Sequence, residues 1–391
     1  MSPHPSPSPP ALTDAQALYI HWPFCISKCP YCDFNSHVRD GVDIDAWRSA
    51  LLADMAHEAA LTAGQPLSSI FFGGGTPSLM PPALVETLIV AAQDHWGFTP
   101  DIEITLEANP NSVEAARFAD LAAAGVNRTS LGLQALDNDA LHFLGRAHDV
   151  AEGLAALDTA QSVFDRVSFD IIYARPGQSE ADWQAELARA LSFGTGHLSL
   201  YQLTIEPGTR FATLVAQGKL TPADPDHGAT LYELTQAMTG AAGIPAYEIS
   251  NHARPGQESR HNLTYWRYGD YAGIGPGAHG RRSGMATMRH KKPENWMGAV
   301  GRNGHGAQSE EPLSGEDRAR EALLMGLRLG EGVDLARIAA ASGIKPDRLV
   351  DARAIEQLTG LGLIRLTGNQ LQVAPAGMLL LDAILPEVVA I

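Results

Sequence analysis

The stretch LYIHWPFCISKCPYCDFNSH, residues 18–37, contains all three cysteines of this 391-residue chain. A β-type run, LYIHW at 18–22, leads into the pattern C-x3-C-x2-C formed by Cys25, Cys29 and Cys32. These short spacings predict one compact loop after a strand, with the thiols close enough to share a metal centre. Because iron–sulfur clusters and structural zinc sites usually have four protein ligands, the fourth ligand position needs an explanation.

Five further β-type runs follow the first along the chain, and helical patterns separate them. Strands are predicted at 18–22, 68–72, 101–107, 128–133, 166–173 and 197–203, and helices at 44–61, 82–96 and 112–125. A strand about every 30 residues with intervening helices predicts repeated βα units, hence an α/β fold with a parallel sheet. Six units are too few for a closed eight-stranded barrel, so a partial barrel and a doubly wound sheet both fit.

Composition divides the chain into three expected regions. Residues 1–16 alternate Pro and Ser, which predicts a disordered tail. Residues 17–312 are expected to form the main domain with a C-terminal extension. The remainder, 313–391, has the pattern helix, short hairpin, helix, which predicts a small helical domain of winged-helix-like type.

Charge and hydropathy disfavour several classes of protein. The net charge is −16, from 28 Lys and Arg against 44 Asp and Glu, so a nucleic-acid partner is not expected. The basic run at 281–292 is interpreted as a solvated loop. The sequence shows neither a transmembrane run nor a signal peptide, and three clustered cysteines do not resemble a disulfide framework. We therefore expect a cytoplasmic protein.

Polar and glycine-rich features coincide with the ends of the predicted strands. GGGTPS at 73–78 follows the second strand, Glu107 ends the third, Gln134 follows the fourth and Asp170 lies within the fifth. Parallel βα folds bind ligands at the carboxyl ends of their strands, so these features predict one binding edge. The glycines permit positive φ and close approach of a ligand, although an ordinary tight turn remains the alternative.

The cysteine pattern favours an iron–sulfur cluster in which one iron has no protein ligand. A zinc site completed by His21 or His37, or three unrelated buried thiols, are the alternatives. An open iron could accept a small molecule, and the glycine segment would then be placed to grip that molecule.

C-x3-C-x2-C is the signature of the radical S-adenosylmethionine (SAM) superfamily, which this sequence resembles. The resemblance extends to one family, the oxygen-independent coproporphyrinogen III oxidases, through YIHWPFCISKCPYCDF, FFGGGTPS, EITLEANP, SLGLQAL, LGRAH and FDIIYARPGQ. Within it, YQLTIEPGTRF, YEISN, ESRHNLTYW and YAGIGPGAHG resemble the heme chaperone branch (HemW-type). These matches cover residues 18–280.

The resemblance implies a fold, two cofactors and their binding residues. The fold would be a partial (β/α)6 TIM-type barrel. Cys25, Cys29 and Cys32 would hold a [4Fe–4S] cluster, whose open iron SAM would chelate through its amino and carboxylate groups. The residues implied to bind SAM are Tyr19, Tyr31, Gly74, Gly75, Thr76, Glu107, Gln134, Arg146 and Asp170.

Two residues favour the chaperone branch over the oxidases. The oxidases carry a further cysteine two residues after the third, where this chain has Phe34. His261 lies in H-N-x-x-Y-W, a motif that the chaperone branch uses for heme, and an imidazole beside aromatic rings could ligate heme iron. The alternative for His261 is a structural polar residue in a tyrosine-rich loop.

The resemblance therefore predicts a chaperone that carries heme as cargo and delivers it to haemoproteins, for example those of respiratory chains. An oxygen-independent coproporphyrinogen III oxidase is the main rival, and a radical enzyme acting on RNA is disfavoured by the acidic charge. Peripheral membrane association, a homodimer and a SAM-cleaving activity stay open at this point.

Overall fold

The computed structural model describes residues 16–39, 41–62 and 64–391, so the expected tail lies outside it except for Gln16. The strands in the described part are β1 (Gln16–Trp22), β2 (Phe24–Cys25), β3 (His37–Val38), β4 (Leu67–Gly74), β5 (Phe98–Ala108), β6 (Arg128–Gln134), β7 (Arg166–Tyr173), β8 (His197–Gln202), β9 (Asn251–Ala253), β10 (Asp270–Ile274), β11 (His279–Arg282), β12 (Met285–Arg289), β13 (Ala307–Pro312), β14 (Val333–Asp334), β15 (Ile364–Thr367) and β16 (Gln370–Val373).

The helices are α1 (Ile44–Leu61), α2 (Pro82–Trp96), α3 (Ser112–Ala115), α4 (Phe118–Ala123), α5 (Asn138–Phe143), α6 (Val150–Val163), α7 (Glu180–Ser192), α8 (Arg210–Ala216), α9 (Pro225–Ala241), α10 (Arg260–Trp266), α11 (Pro293–Asn303), α12 (Gly315–Gly326), α13 (Leu335–Ser342), α14 (Pro346–Leu349), α15 (Ala352–Gly360), α16 (Pro375–Met378) and α17 (Leu381–Val388). In the described part of the chain, none is long and apolar enough to cross a membrane.

One sheet of eleven strands organises the molecule, in the order β13-β12-β11-β10-β1-β4-β5-β6-β7-β8-β9. The run from β10 to β8 is parallel throughout, and β9 and β11–β13 extend it with antiparallel pairs. The six predicted strands are β1 and β4–β8, which confirms the α/β class. Because these strands are spatial neighbours in chain order, with no reversal, the topology is that of a partial barrel and not of a doubly wound sheet.

The two faces of the parallel strands differ, because successive side chains point to opposite sides. Ile20, Ile70 and Leu106 belong to the main apolar core, which α1 and α2 cover with residues such as Leu51 and Leu88. The other face is buried but polar, and it includes Ser69, Glu103, Thr105, Arg128, Ser168 and His197.

The helix predicted at 112–125 is divided into α3 and α4. Asn111 caps α3 by accepting a hydrogen bond from the amide of Glu114. Between the two helices, Arg117 donates to the carbonyls of Ser78 and Met80. Arg117, at the break between the two helices, thus connects this segment to the loop after β4.

The prediction of a solvated loop at 281–292 is wrong, because the segment forms β11 and β12 and its arginines are buried. Arg289 pairs with Asp54 and Glu58 of α1, and Arg282 pairs with Glu58. Only Lys291 and Lys292 of this run are exposed basic side chains. The ion pairs join the antiparallel extension of the sheet to α1.

The last quarter of the chain packs around an apolar core of its own, to which Leu323, Ile338, Leu371 and Ile384 contribute. Its three-stranded sheet has the order β14-β16-β15. The elements from α15 to α17 follow the pattern helix, hairpin, helix.

Candidate functional site

The cysteine segment, which we define as residues 24–39, follows β1 at the carboxyl edge of the parallel strands. Its two ends pair with each other, since Cys25 in β2 lies opposite Val38 in β3. Cys25, Cys29 and Cys32 are free, half-buried thiols. Burial raises the pKa of the Cys25 and Cys32 thiols, so without a bound metal these two sulfurs are protonated at neutral pH.

Each sulfur faces a hydrogen-bond donor. Thr76 Oγ1 lies 3.5 Å from Cys25 Sγ, and Arg146 Nη1 lies 3.4 Å from Cys29 Sγ. The Phe34 amide donates to the sulfur of Cys32. Donors of this kind stabilise negative charge on sulfur, which is the form that binds iron.

Tyr31 stands on the Arg146 side of the cysteine segment. Its hydroxyl is hydrogen-bonded to the Cys29 sulfur, and burial raises the pKa of the phenol. Its ring lies 6.4 Å from that of Phe211, in the apolar cluster beside α8. Tyr31 therefore links the thiol loop to the barrel wall.

Gly74 and Gly75 are required by the packing between β4 and the end of β1. A Cβ on Gly74 would lie 2.5 Å from the His21 ring, and the φ of Gly74 is +114°. A Cβ on Gly75 would lie 2.6 Å from the Phe24 carbonyl oxygen. The Gly75 amide donates to the Trp22 carbonyl over 2.7 Å, so the glycines pack against the end of β1, directly before the cysteine segment.

A chain of hydrogen bonds that the sequence reasoning missed fixes the cysteine segment. Tyr19 Oη donates to His21 Nδ1 over 2.9 Å, and His21 Nε2 donates to the Asn35 carbonyl over 2.9 Å. Burial lowers the pKa of His21 to about 4, which keeps the imidazole neutral. Asn35 Nδ2 in turn donates to the carbonyls of Pro276 and Lys291.

Arg146 is oriented by groups on two neighbouring strands. Its Nη2 donates to Asn109 Oδ1 over 2.6 Å and to the Gly132 carbonyl over 3.1 Å. Asn109, just after β5, was also missed, although its polar side chain at a strand end was a usable signal. A Cβ on Gly132 would lie 2.9 Å from the side chain of Gln134, so glycine makes room for Gln134 here.

Gln134 ends β6 at an irregularity of the sheet. The register between β6 and β7 shifts between Leu131 and Gln134, and Gln134 has a φ of +67°. Such a bulge changes the direction of the side chain at a strand end.

Two carboxyl groups lie on the polar face beside the glycine segment. Burial, reinforced by the charge of Asp170, raises the pKa of Glu107 to about 8, and Glu107 Oε2 accepts from the Gly74 amide over 3.3 Å. Burial also raises the pKa of Asp170 to about 6, against hydrogen bonds from Ser199 and Ser130. A cationic or hydroxyl-bearing ligand would stabilise both ionised forms.

His261 lies deeper, on the polar face of the sheet, and is only 5% exposed. Its Nδ1 lies 3.3 Å from Ser69 Oγ, and its ring stacks on Phe71 with centroids 5.0 Å apart. The Tyr19 ring is 6.1 Å away, which places His261 beneath the strand-end site and outside the cysteine segment. Burial lowers the pKa of this imidazole to about 4.

The donor set fits a thiolate-bound iron cluster with a polar ligand beside it. Three sulfurs on one segment, each facing a hydrogen-bond donor, suit the iron cluster. Two carboxyl groups, a side-chain amide and a guanidinium near the glycine segment suit the polar ligand. His261 is separated from this set by Tyr19.

Comparisons with known proteins show which family the chain belongs to. The radical SAM superfamily model matches residues 19–190, and the HemN C-terminal domain model matches residues 313–380. The mouse protein "Radical S-adenosyl methionine domain-containing protein 1, mitochondrial" is 39% identical over 393 residues, which cover 97% of this chain and 88% of that protein.

The heme chaperone HemW of Escherichia coli is 36% identical over 378 residues, which cover 94% of this chain and 97% of that protein. The fold matches the structure of coproporphyrinogen III oxidase (HemN) from Escherichia coli with a TM-score of 0.81 and 24% identity, over 95% of this chain and 89% of that one. The chain therefore belongs to the radical SAM superfamily and, within the oxygen-independent coproporphyrinogen III oxidase-like family, to the HemW-type heme chaperone branch.

Proposed function

We propose that this protein binds heme on a radical SAM scaffold and delivers it to haemoproteins. One observation carries the choice between the two branches of the family. Where the resemblance to the oxidases would put a further thiol, the chain has Phe34, whose ring is 59% exposed beside Cys32. An aromatic side chain cannot bind iron as a thiolate does.

The cofactors implied by the family are a [4Fe–4S] cluster and SAM. Cys25, Cys29 and Cys32 would hold the cluster, with Thr76 and Arg146 donating to two of the sulfurs. The cluster, when bound, would supply an open iron for the amino and carboxylate groups of SAM.

SAM would lie over the glycine segment, where the polar groups of the strand ends converge. The Gly74 amide fixes Glu107, and Asn109 fixes Arg146, so both charged groups are held in place before a ligand arrives. Tyr19 would act mainly through His21, to which its hydroxyl donates.

His261 is our proposed ligand for heme iron. Its low pKa keeps a ring nitrogen unprotonated at neutral pH, as ligation requires, and Phe71, Tyr19 and Tyr265 surround it. Because His261 is nearly inaccessible, we expect α10 or its surroundings to move before a macrocycle reaches it.

The function is tested by two assays on one reconstituted sample. Hemin titration should shift the Soret band, and the shift should weaken in His261→Ala; transfer to an apo-haemoprotein should follow. Exposed His142, in α5, provides the matched control His142→Ala, which should leave the spectrum unchanged. A protein that binds no heme refutes the proposal.

The main rival is the oxidation of coproporphyrinogen III, and the fold match to an oxidase is the observation in its favour. The second assay is therefore the formation of protoporphyrinogen under anaerobic, reducing conditions. We expect none, and turnover without heme transfer would establish the rival.

Site of action and acceptor are further parts of the proposal. We place the protein in the cytoplasm and infer that it delivers its heme to haemoproteins such as those of respiratory chains. Fractionation of the native host, followed by identification of proteins that gain heme from the loaded chaperone, tests both.

A further inference from the structure

Three large apolar side chains are exposed on the cysteine segment. Ile26 is 66% exposed, Phe34 59% and Val38 51%, and no other Phe and no Trp in the described chain is as exposed as Phe34. Single exposed apolar residues are common on protein surfaces and need no explanation. We call the three side chains, which share one short segment with every thiol of the chain, the patch.

The three side chains border the thiols. Val38 pairs with Cys25 across the β2–β3 ladder, Ile26 follows Cys25 directly, and the Phe34 amide donates to the sulfur of Cys32. Asn35 anchors this segment by donating to the Pro276 carbonyl in the β10–β11 loop and to the Lys291 carbonyl after β12. The patch is therefore a fixed surface over the thiol loop.

Basic side chains surround the patch, although the protein as a whole is acidic. The chain has only five lysines, and three of them lie here: Lys28, Lys291 and Lys292. All three are exposed, as is Arg39, and the bond from Asn35 to the Lys291 carbonyl brings the lysine pair against the segment. Acidic residues also occur in these stretches: Asp33 lies on the segment, and Glu294, close to the lysine pair in sequence, is paired with Arg39. Three exposed lysines thus lie on or against the segment that carries the apolar side chains.

We propose that this surface, the cysteine-segment surface, is the docking site for heme. The inference rests on the proposed chaperone function. Heme combines a flat apolar macrocycle with two carboxylates. The surface offers an exposed aromatic and two aliphatic side chains beside three lysines that form no ion pair within the described residues. That match of apolar area and charge is lacking at His261, which is 5% exposed. Heme would dock here first, and His261 would be reached only after a movement.

Hemin titration of the cluster-loaded protein, followed in the Soret band, tests the site. The variants are Phe34→Ser, Val38→Ser and the pair Lys28→Glu with Lys291→Glu. Val90→Ser on α2, where Val90 is 53% exposed, and Lys219→Glu are the matched controls. Iron content is measured for each, because about four irons per chain show that the cluster is retained.

We expect Phe34→Ser and the lysine pair each to raise the dissociation constant about tenfold or more, since each removes a contact to one part of the ligand. The controls should stay within about twofold of wild type. Unchanged affinity in all patch variants overturns the docking site while leaving the chaperone function in place. Should wild type bind no heme, the proposed function fails as well, and the two failures are thereby distinguished.

Two further outcomes are decisive. If Phe34→Ser loses iron, Val38→Ser and the lysine pair decide the question, because neither changes a residue whose amide faces a sulfur. The second outcome is an unchanged heme affinity together with slower reduction of the cluster by an acidic electron-transfer protein, while reduction by dithionite stays the same. In that case the surface binds a protein partner, and the heme assignment is wrong.

Discussion

Arg146 Nη1 lies 3.4 Å from the Sγ of Cys29, although 117 residues separate the two in the chain. The contact joins the first strand-end loop to the segment after α5. The same guanidinium donates to Asn109 and to the carbonyl of Gly132, so one side chain ties together the ends of β1, β5 and β6. A cation fixed in this way influences both the charge on the cluster and the ligand next to it.

Arg146→Gln should lower the reduction potential of the reconstituted cluster. The guanidinium stabilises the more negative, reduced state, and each tenfold loss of that preference corresponds to about 60 mV for one electron. Redox titration followed by EPR measures the shift. Arg189→Gln on α7, away from the thiols, is the control, and an unchanged potential in Arg146→Gln would show that the bond to Cys29 has no electrostatic effect.

Cys29→Ala should abolish the cluster. Wild type is expected to hold about four irons per chain after anaerobic reconstitution, and a thiolate cannot be replaced by a methyl group. Ser27→Ala, an exposed neighbour between the cysteines, should retain the full complement. Stoichiometric zinc without an iron chromophore in wild type would contradict the cluster assignment.

Gly74→Ala should destabilise the apoprotein by roughly 2–4 kcal/mol, from backbone strain at φ +114° together with overlap of its Cβ with the His21 ring. Gly243→Ala is the matched control, because Gly243 has a φ of +73° but no atom near its Cβ position. That variant should cost only about 1 kcal/mol. Urea unfolding measures both, and equal losses would show that the contact with His21 is unimportant.

Local patterns predicted the barrel well because the βα period repeats within each stretch of about 30 residues. The predicted helix bounds of α1 and α2 match the structure. The glycines at the end of β4 were predicted to let a ligand approach closely, and this stays a prediction; within the chain, the group that lies against Gly74 is the His21 ring of β1.

The missed features depend on residues far apart in the chain. Nothing local in the basic run indicates that Arg289 is buried, since its partners Asp54 and Glu58 lie on α1 more than 200 residues earlier. Asn35 likewise owes its role to the loop around Pro276. Pairings of this kind are visible only once the sheet order is known.

His261 should make folding stability depend on pH in the acid range. Its pKa is 6.5 when unfolded and about 4 when folded, so the unfolded chain binds more protons between those values. The contribution of this group to the free energy of unfolding is therefore fully present above pH 6.5 and is lost as the pH falls to 4. The total loss is about 3 kcal/mol. Urea unfolding of the apoprotein should show a shallower slope over this range in His261→Asn than in wild type. His142→Asn, at an exposed position of α5, is the control for the substitution itself. A slope for His261→Asn equal to that of wild type would contradict the burial of its imidazole.

Glu107 should make SAM binding depend on pH. In the absence of ligand, burial raises the pKa of Glu107 to about 8, so the carboxyl is mostly protonated at neutral pH. The iron-bound amino group or a ribose hydroxyl of SAM would donate a hydrogen bond to the carboxylate and favour its ionised form. The ionised fraction of Glu107 grows about tenfold per pH unit below its pKa. The affinity of wild type for SAM should therefore rise with pH between about 6 and 8.

The amino group of SAM titrates in the same range, so Glu107→Gln serves as the control that reports the contribution of the ligand alone. Calorimetric titration of both cluster-loaded proteins across this range measures the difference between them. Identical pH profiles would remove Glu107 from the SAM site, whereas a weaker, flatter profile in the variant would place its carboxylate against the ligand.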